Sequence, residues 1–139
     1  MDKEKLLKAL DDTSNESLMN FTTKKLREMT LNILKELELP KEETMRLMKA
    51  LKEYKYIDEM NELKYGSFVR WIVITDPTNI ELTRGALFCE MKILDDGIFM
   101  VCKSFGNKHF QVKFDECLVF QKLTSQEQVL LSALDHLSK

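Results

Sequence analysis

The chain has 139 residues, 44% of them hydrophobic, 9% aromatic and 32% charged, and its 21 Lys and Arg against 23 Asp and Glu leave a formal charge of −2. With only 4 Gly and 2 Pro, this composition excludes a disordered or collagen-like chain and fits one ordered domain. No run approaches the roughly 18 apolar residues of a spanning helix, the start Met1-Asp2-Lys3-Glu4-Lys5 is too charged for a secretory leader, and Cys89, Cys102 and Cys117 are odd in number and widely spaced. The expectation is a cytoplasmic protein with reduced thiols and no membrane partner.

A short helix is expected at about Asp2–Leu10, then a loop at Asp11-Asp12-Thr13-Ser14-Asn15, with Thr22 or Thr23 as the next N-cap. From Thr23 to Leu39, Leu26, Met29, Ile33, Leu34 and Leu37 recur at three- and four-residue steps, the period of a helix with one buried stripe. Pro40 ends it, and Lys41-Glu42-Glu43 opens another helix in which Met45, Leu47, Met48, Leu51 and Tyr54 keep the period, to about Glu53. All four glycines lie after residue 65, and from there the period switches to 2. The expected strands are Ser67–Thr75, Gly85–Leu94, Ile98–Phe105, His109–Phe114 and Cys117–Leu123, rich in Val, Ile, Phe and Trp. Thr124-Ser125-Gln126-Glu127 has the spacing of a capping box, which starts a closing helix to about Leu137.

The fold class is therefore α+β, with N-terminal helices, a five-stranded antiparallel meander and a C-terminal helix. The meander is expected either to close as a small barrel of the SH3 or Tudor kind or to remain an open sheet. Three parts follow: a helical arm at 1–64, the β unit at 65–123 and a capping helix at 124–139, packed as one compact unit because so short a β unit buries limited area alone.

Turn chemistry fixes an expected register. A two-residue turn at Gly106-Asn107 sets Lys103 opposite Phe110, Val101 opposite Val112 and Phe99 opposite Phe114. A three-residue turn at Asp95-Asp96-Gly97, with glycine left-handed, sets Ile93 against Phe99, Met91 against Val101 and Cys89 against Lys103. One face is then apolar, and Phe88, Glu90, Lys92, Met100, Cys102, Ser104, His109, Gln111 and Lys113 lie on the other.

Signatures of catalysis are missing. The cysteine spacings of 13 and 15 do not converge on a metal, no phosphate-cradling or hydrolytic motif occurs, and Asp95-Asp96 and Asp115-Glu116 sit where turns need them. A Cys102–His109 nucleophile would lack an orienting third group. The chain is read as a non-enzyme with no cofactor and no metal. Two binding surfaces are candidates. Met45, Leu47, Met48 and Leu51 give a broad apolar helix face for a protein partner or a second copy. Arg70, Arg84, Lys103, Lys108, His109 and Lys113, beside aromatics, give a candidate nucleic-acid surface. Against the second, residues 66–123 hold 7 basic and 7 acidic side chains, whereas such binders are usually basic. Trp71 alternates with Val69 and Val73 and is expected in the core.

The segments Leu63-Lys64-Tyr65-Gly66-Ser67-Phe68-Val69-Arg70-Trp71-Ile72, Leu82-Thr83-Arg84-Gly85-Ala86 and Phe120-Gln121-Lys122-Leu123-Thr124 give the chain a resemblance to small uncharacterised proteins of large nucleocytoplasmic DNA viruses, over roughly residues 54–137. The resemblance implies a virus factory in the host cytoplasm, or a virion, as the setting, and brings no activity to individual residues. The function expected is a non-enzymatic interaction module or small subunit of an assembly, with a nucleic-acid accessory role as the alternative.

Overall fold

The computed structural model describes residues 3–11 and 21–137; of the expected loop Asp11–Asn15, Asp11 ends the first helix and the rest lies outside the described residues. Among the described residues four helices, α1 (Lys3–Asp11), α2 (Thr23–Lys35), α3 (Lys41–Ala50) and α4 (Ser125–Leu137), flank six strands: β1 (Tyr54–Ile57), β2 (Phe68–Val73), β3 (Ala86–Leu94), β4 (Gly97–Lys103), β5 (His109–Lys113) and β6 (Cys117–Lys122). Single 3-10 turns, Met60–Glu62 and Phe114–Glu116, join β1 to β2 and β5 to β6.

The helices begin where their caps require. Thr22 caps α2 by accepting from the Lys25 N–H at 3.2 Å. Thr23 gives both its N–H (2.8 Å) and its hydroxyl (2.6 Å) to Asp135 of α4, so a carboxylate from the last turn of one helix meets the electropositive start of another. The capping box of α4 forms in both directions: Glu127 N–H donates to Thr124 Oγ1 at 3.1 Å and Thr124 N–H donates to Glu127 Oε1 at 2.9 Å. Two helices are shorter than expected. α2 stops at Lys35, and Glu38 turns left-handed (φ 54°), because Pro40 lacks an N–H and its ring crowds the preceding turn. α3 stops at Ala50, and Tyr54 opens a strand.

That strand makes the sheet six-stranded where five were expected. Its order is β1-β6-β2-β3-β4-β5, antiparallel throughout, an open sheet with β1 and β5 at its edges. Strand neighbours lie about 4.8 Å apart, so β2 and β5, three places apart, would be about 14 Å apart in a flat sheet. The rings of Trp71 and Phe110 nonetheless stand 6.0 Å centroid to centroid. The sheet is strongly coiled, and its concave side encloses Ile57, Val69, Trp71, Phe88, Met100, Cys102, Val112 and Val119. Trp71 is in this core, as expected. The other side of β1-β6-β2 is covered by α2 and α3, through Leu34, Leu47 and Leu51 against Ile72, Leu118 and Phe120. A third cluster, Leu26, Leu123, Leu130 and Leu131, joins α2 to α4.

The register differs from expectation because the two turns exchange types. Leu94 pairs with Gly97, so Asp95-Asp96 is the two-residue turn. Ser104 N–H bonds to Lys108 O and Asn107 N–H to Ser104 O, with Asn107 at φ 62°, so Phe105-Gly106-Asn107 is the three-residue turn and asparagine takes its left-handed place. Lys103 therefore faces His109, Met100 faces Val112 and Cys102 faces Phe110. This one-residue slip turns β4 over. Met100 and Cys102, expected outside, are wholly buried, while Lys103, expected on the apolar face, turns outward. A bulge between Phe88 and Glu90 does the same for the start of β3, burying Phe88 and leaving Cys89 half-exposed.

Candidate nucleic-acid interface

The corrected register carries one row of side chains straight across the outer surface: Phe68 on β2 pairs with Leu87 on β3, Leu87 with Lys103 on β4, and Lys103 with His109 on β5. Gly85 anchors the start of this row. It holds φ +95°, and a Cβ there would stand 2.5 Å from Val69 O and 2.8 Å from the Phe68 ring, so only glycine admits the close approach of β2. Beyond the row, the β4–β5 turn brings the Phe105 ring to 6.1 Å from Phe68. Phe105 is 87% exposed, and Tyr65, next to the Gly66 N–H that bonds to Phe88 O, is 84% exposed. A cleft of about 140 Å³ is lined by Ala86, Leu87, Lys103, Ser104, Phe105 and Asn107.

Charge is segregated along the strands. Residues 63–75, 83–89 and 98–114 contain no Asp or Glu. Four acids gather at the opposite end of β3 and β4, where Asp115 Oδ2 would lie 3.2 Å from a Cβ at Gly97, beside the Asp95-Asp96 turn, while Glu90 faces Val101 on the outer surface and Asp76 and Glu81 lie in the β2–β3 connection. The even count of charges thus conceals a local excess of bases at the Phe105 turn and of acids around Gly97.

The six cations proposed from sequence fall into two groups. Arg84, Lys108 and His109 are exposed and Lys103 is half-buried; among the described residues their side chains make no hydrogen bond or ion pair. Lys103 and His109 stand directly opposite across β4 and β5. Arg70 and Lys113 are engaged elsewhere. Arg70 Nε donates to Thr83 O at 2.8 Å, and Lys113 pairs with Glu116 at 3.2 Å, a contact that raises its pKa. Sequence reasoning missed Phe68, Leu87, Phe105 and Asn107; the available signal was an aromatic within the turn Ser104-Phe105-Gly106-Asn107, where folding offers it little to bury against.

The proposed protein-binding face divides differently. Leu47 and Leu51 are 2% exposed and belong to the core under α3, while Met48 is half-buried and Met45 is 62% exposed. Met48 lines a second cleft, of about 260 Å³, between α2, α3 and α4, with Leu26, Leu51 and Leu131 inside and Arg27 and Asp135 among its polar groups.

Two thiols, Cys102 and Cys117, have the wrong environment for nucleophilic work. Burial, helped by Cys89 nearby, pushes the Cys102 thiol up to about 12, and burial with Glu116 and Asp115 pushes Cys117 up to about 11, whereas reactive thiols are lowered. Among the described residues no group of three His, Cys, Asp or Glu is placed to hold a metal ion, and no helix is long and apolar enough to cross a membrane. Comparison with protein-family models, with curated proteins and with solved structures finds no match.

Proposed function

We propose that this protein is a non-enzymatic binding module that docks on nucleic acid through the basic end of its sheet. The observation that carries this reading is the grouping of Lys103, Lys108 and His109 around one turn, with Arg84 preceding the Gly85 on which Phe68 packs, all without a hydrogen-bonded or ion-paired acid among the described residues and beside exposed aromatics. We further read β2–β6 as a small barrel of the SH3 or Tudor kind; the Trp71–Phe110 contact across non-neighbouring strands supports that reading. An accessory role on nucleic acid suits the viral setting that the sequence resemblance implies.

The test is fluorescence anisotropy of the full chain with labelled oligonucleotides over a salt series. Three lysine or arginine contacts to phosphate give a slope of about −2 in log K against log salt for a single strand, so affinity falls about 20-fold from 50 to 200 mM salt. The Lys103→Glu/Lys108→Glu variant loses most of that affinity and most of the slope. Binding that ignores salt, or that survives this charge reversal, refutes the reading.

The cleft beside Met48 favours a second reading, docking of an apolar-faced helix of a protein partner, with Met45 and Met48 as its contacts. A partner retained after nuclease treatment and lost on Met48→Glu supports it.

A further inference from the structure

Resting on the nucleic-acid reading above, we propose that the basic end takes single strands, seating one unstacked base in the cleft between Leu87 and Phe105 with the adjoining phosphates on Lys103 and Lys108.

The shape of the cleft sets this preference. Its lining brings Ala86, Leu87 and Phe105 together with Lys103, Ser104 and Asn107. A nucleotide has the same division: a flat π-face, a polar edge and a charged backbone. Bases inside a duplex have their faces covered by their neighbours, so an aromatic platform of this kind is useful only to an unpaired strand. About 140 Å³ is far below the roughly 300–1,000 Å³ of sites for larger organic ligands. It suits a single ring system entering from an extended chain.

Folding does not account for Phe105. At 87% exposure the ring removes little of its surface from water, and burial is what makes an aromatic stabilising. The backbone that carries it is nevertheless held. The two backbone hydrogen bonds of the turn, Ser104 N–H to Lys108 O and Asn107 N–H to Ser104 O, hold the tip, and Phe68 supports the ring at 6.1 Å with a 32° tilt. Phe68 is itself pinned by the contact over Gly85. A turn held by its backbone does not have to be ordered when the ligand arrives, which lowers the entropic cost of binding. The two cations flank the platform, Lys103 from the strand before the turn and Lys108 from the chain after it.

The experiment compares four labelled probes on the full chain at 50 mM salt: a 12-nucleotide thymidine DNA, a 12-nucleotide uridine RNA, a 12-base-pair duplex and poly-glutamate as a stand-in for an acidic protein. Wild-type protein binds at least one single strand tenfold or more above the duplex; whichever of DNA and RNA is bound more tightly identifies the sugar. Phe105→Ala weakens single-strand binding between about 5-fold and 150-fold, the range of one lost base stack, and changes duplex and poly-glutamate binding less than twofold. Phe105→Trp restores the single strand. Because Phe105 is so exposed, both variants melt with the wild type, which a thermal scan verifies. Equal loss on single strand and duplex, or no loss with Phe105→Ala, overturns base capture while leaving the phosphate reading intact. Poly-glutamate bound as tightly as the single strand overturns the choice of nucleic acid. Failure of every probe to bind removes both readings together.

Discussion

The buried ion pair between Lys55 and Glu62 gives the sharpest test of how the sheet is held together. Lys55 on β1 is 5% exposed, yet its ammonium lies 2.6 Å from Glu62 Oε2, with the Phe21 ring 5.6 Å away as a second, weaker partner. Glu62 belongs to the 3-10 turn that carries the chain from β1 to β2, and the same turn is tied to β6 by Gln121, whose Nε2 donates to Glu62 O at 3.2 Å and whose Oε1 accepts from Lys64 N–H at 2.8 Å. Glu62→Ala leaves the Lys55 charge buried without its carboxylate, a change that costs about 3–5 kcal/mol in other proteins. The Phe21 face offsets part of it, on the order of 0.5–2 kcal/mol. With an unfolding entropy of about 2.1 cal/mol/K per residue, 139 residues give roughly 0.3 kcal/mol/K, so a net loss of about 2–4 kcal/mol lowers Tm by about 7–14 °C. Against a typical total of about 5–15 kcal/mol, that is a large fraction. Urea denaturation followed by circular dichroism measures it as a drop in midpoint with the slope unchanged. The double variant Lys55→Met/Glu62→Gln buries no charge and recovers most of the loss. A Glu62→Ala variant within about 1 kcal/mol of wild type, or a double variant no better than the single one, refutes the reasoning.

Gly85→Ala places a methyl group 2.5 Å from a backbone oxygen at a left-handed φ; we expect at least about 2 kcal/mol of destabilisation and early loss of amide protection at the two-residue β2–β3 ladder, seen by hydrogen exchange. Thr124→Ala removes one arm of the capping box of α4 and costs about 1 kcal/mol by thermal melt, with Ser in its place nearly neutral. Maleimide at pH 8 modifies the half-exposed Cys89 in the native protein, and mass spectrometry finds the wholly buried Cys102 labelled only after denaturation. Tm falls as pH rises above about 9. The raised thiols of Cys102 and Cys117, with Tyr54 and Tyr56 raised by burial, hold their protons more tightly when folded, so their contribution is complete below the unfolded thiol value and is lost as pH climbs towards about 11 and 12. A Cys102→Ala variant with an alkaline slope as steep as wild type argues against that origin.

The elements themselves were readable because they rest on local signals. The five expected strands and four expected helices all appear, and Thr22 and Thr124 cap as their neighbours dictate. β1 was hidden because Tyr54 extends the helical period of Met45, Leu47, Met48 and Leu51 by one more step. Its own signal, Tyr54-Lys55-Tyr56-Ile57, is four residues long and buries a lysine in the place where a hydrophobe is expected. Register was not readable, because both β-turns offered glycine and a short polar residue, and the choice between a two- and a three-residue loop shifts every partner by one. Asn107 settles it: asparagine tolerates a left-handed φ well enough to close the longer turn, which leaves Gly97 free to pair with Leu94.

The same slip explains why the candidate site could not be assembled from composition. In the expected register Lys103 stands among apolar side chains opposite Phe110, and the basic residues of the sheet look scattered. Turning β4 over moves Lys103 beside Leu87 and His109 and sends Cys102 inside. Equal numbers of acids and bases argue against a polyanion only if they are mixed in space. In this sheet a strand runs from one turn to the other, so acids placed at Asp95, Asp96, Asp115 and Glu116 stand a strand length away from bases near the Phe105 turn. A strand of seven residues, such as β4, spans roughly 20 Å at about 3.3 Å per residue. That is more than twice the roughly 8 Å Debye length at physiological salt, so these four acids do little to cancel the field at Lys103 and Lys108, and Glu90, opposite Val101 on β4, is the acid that stands within reach of it.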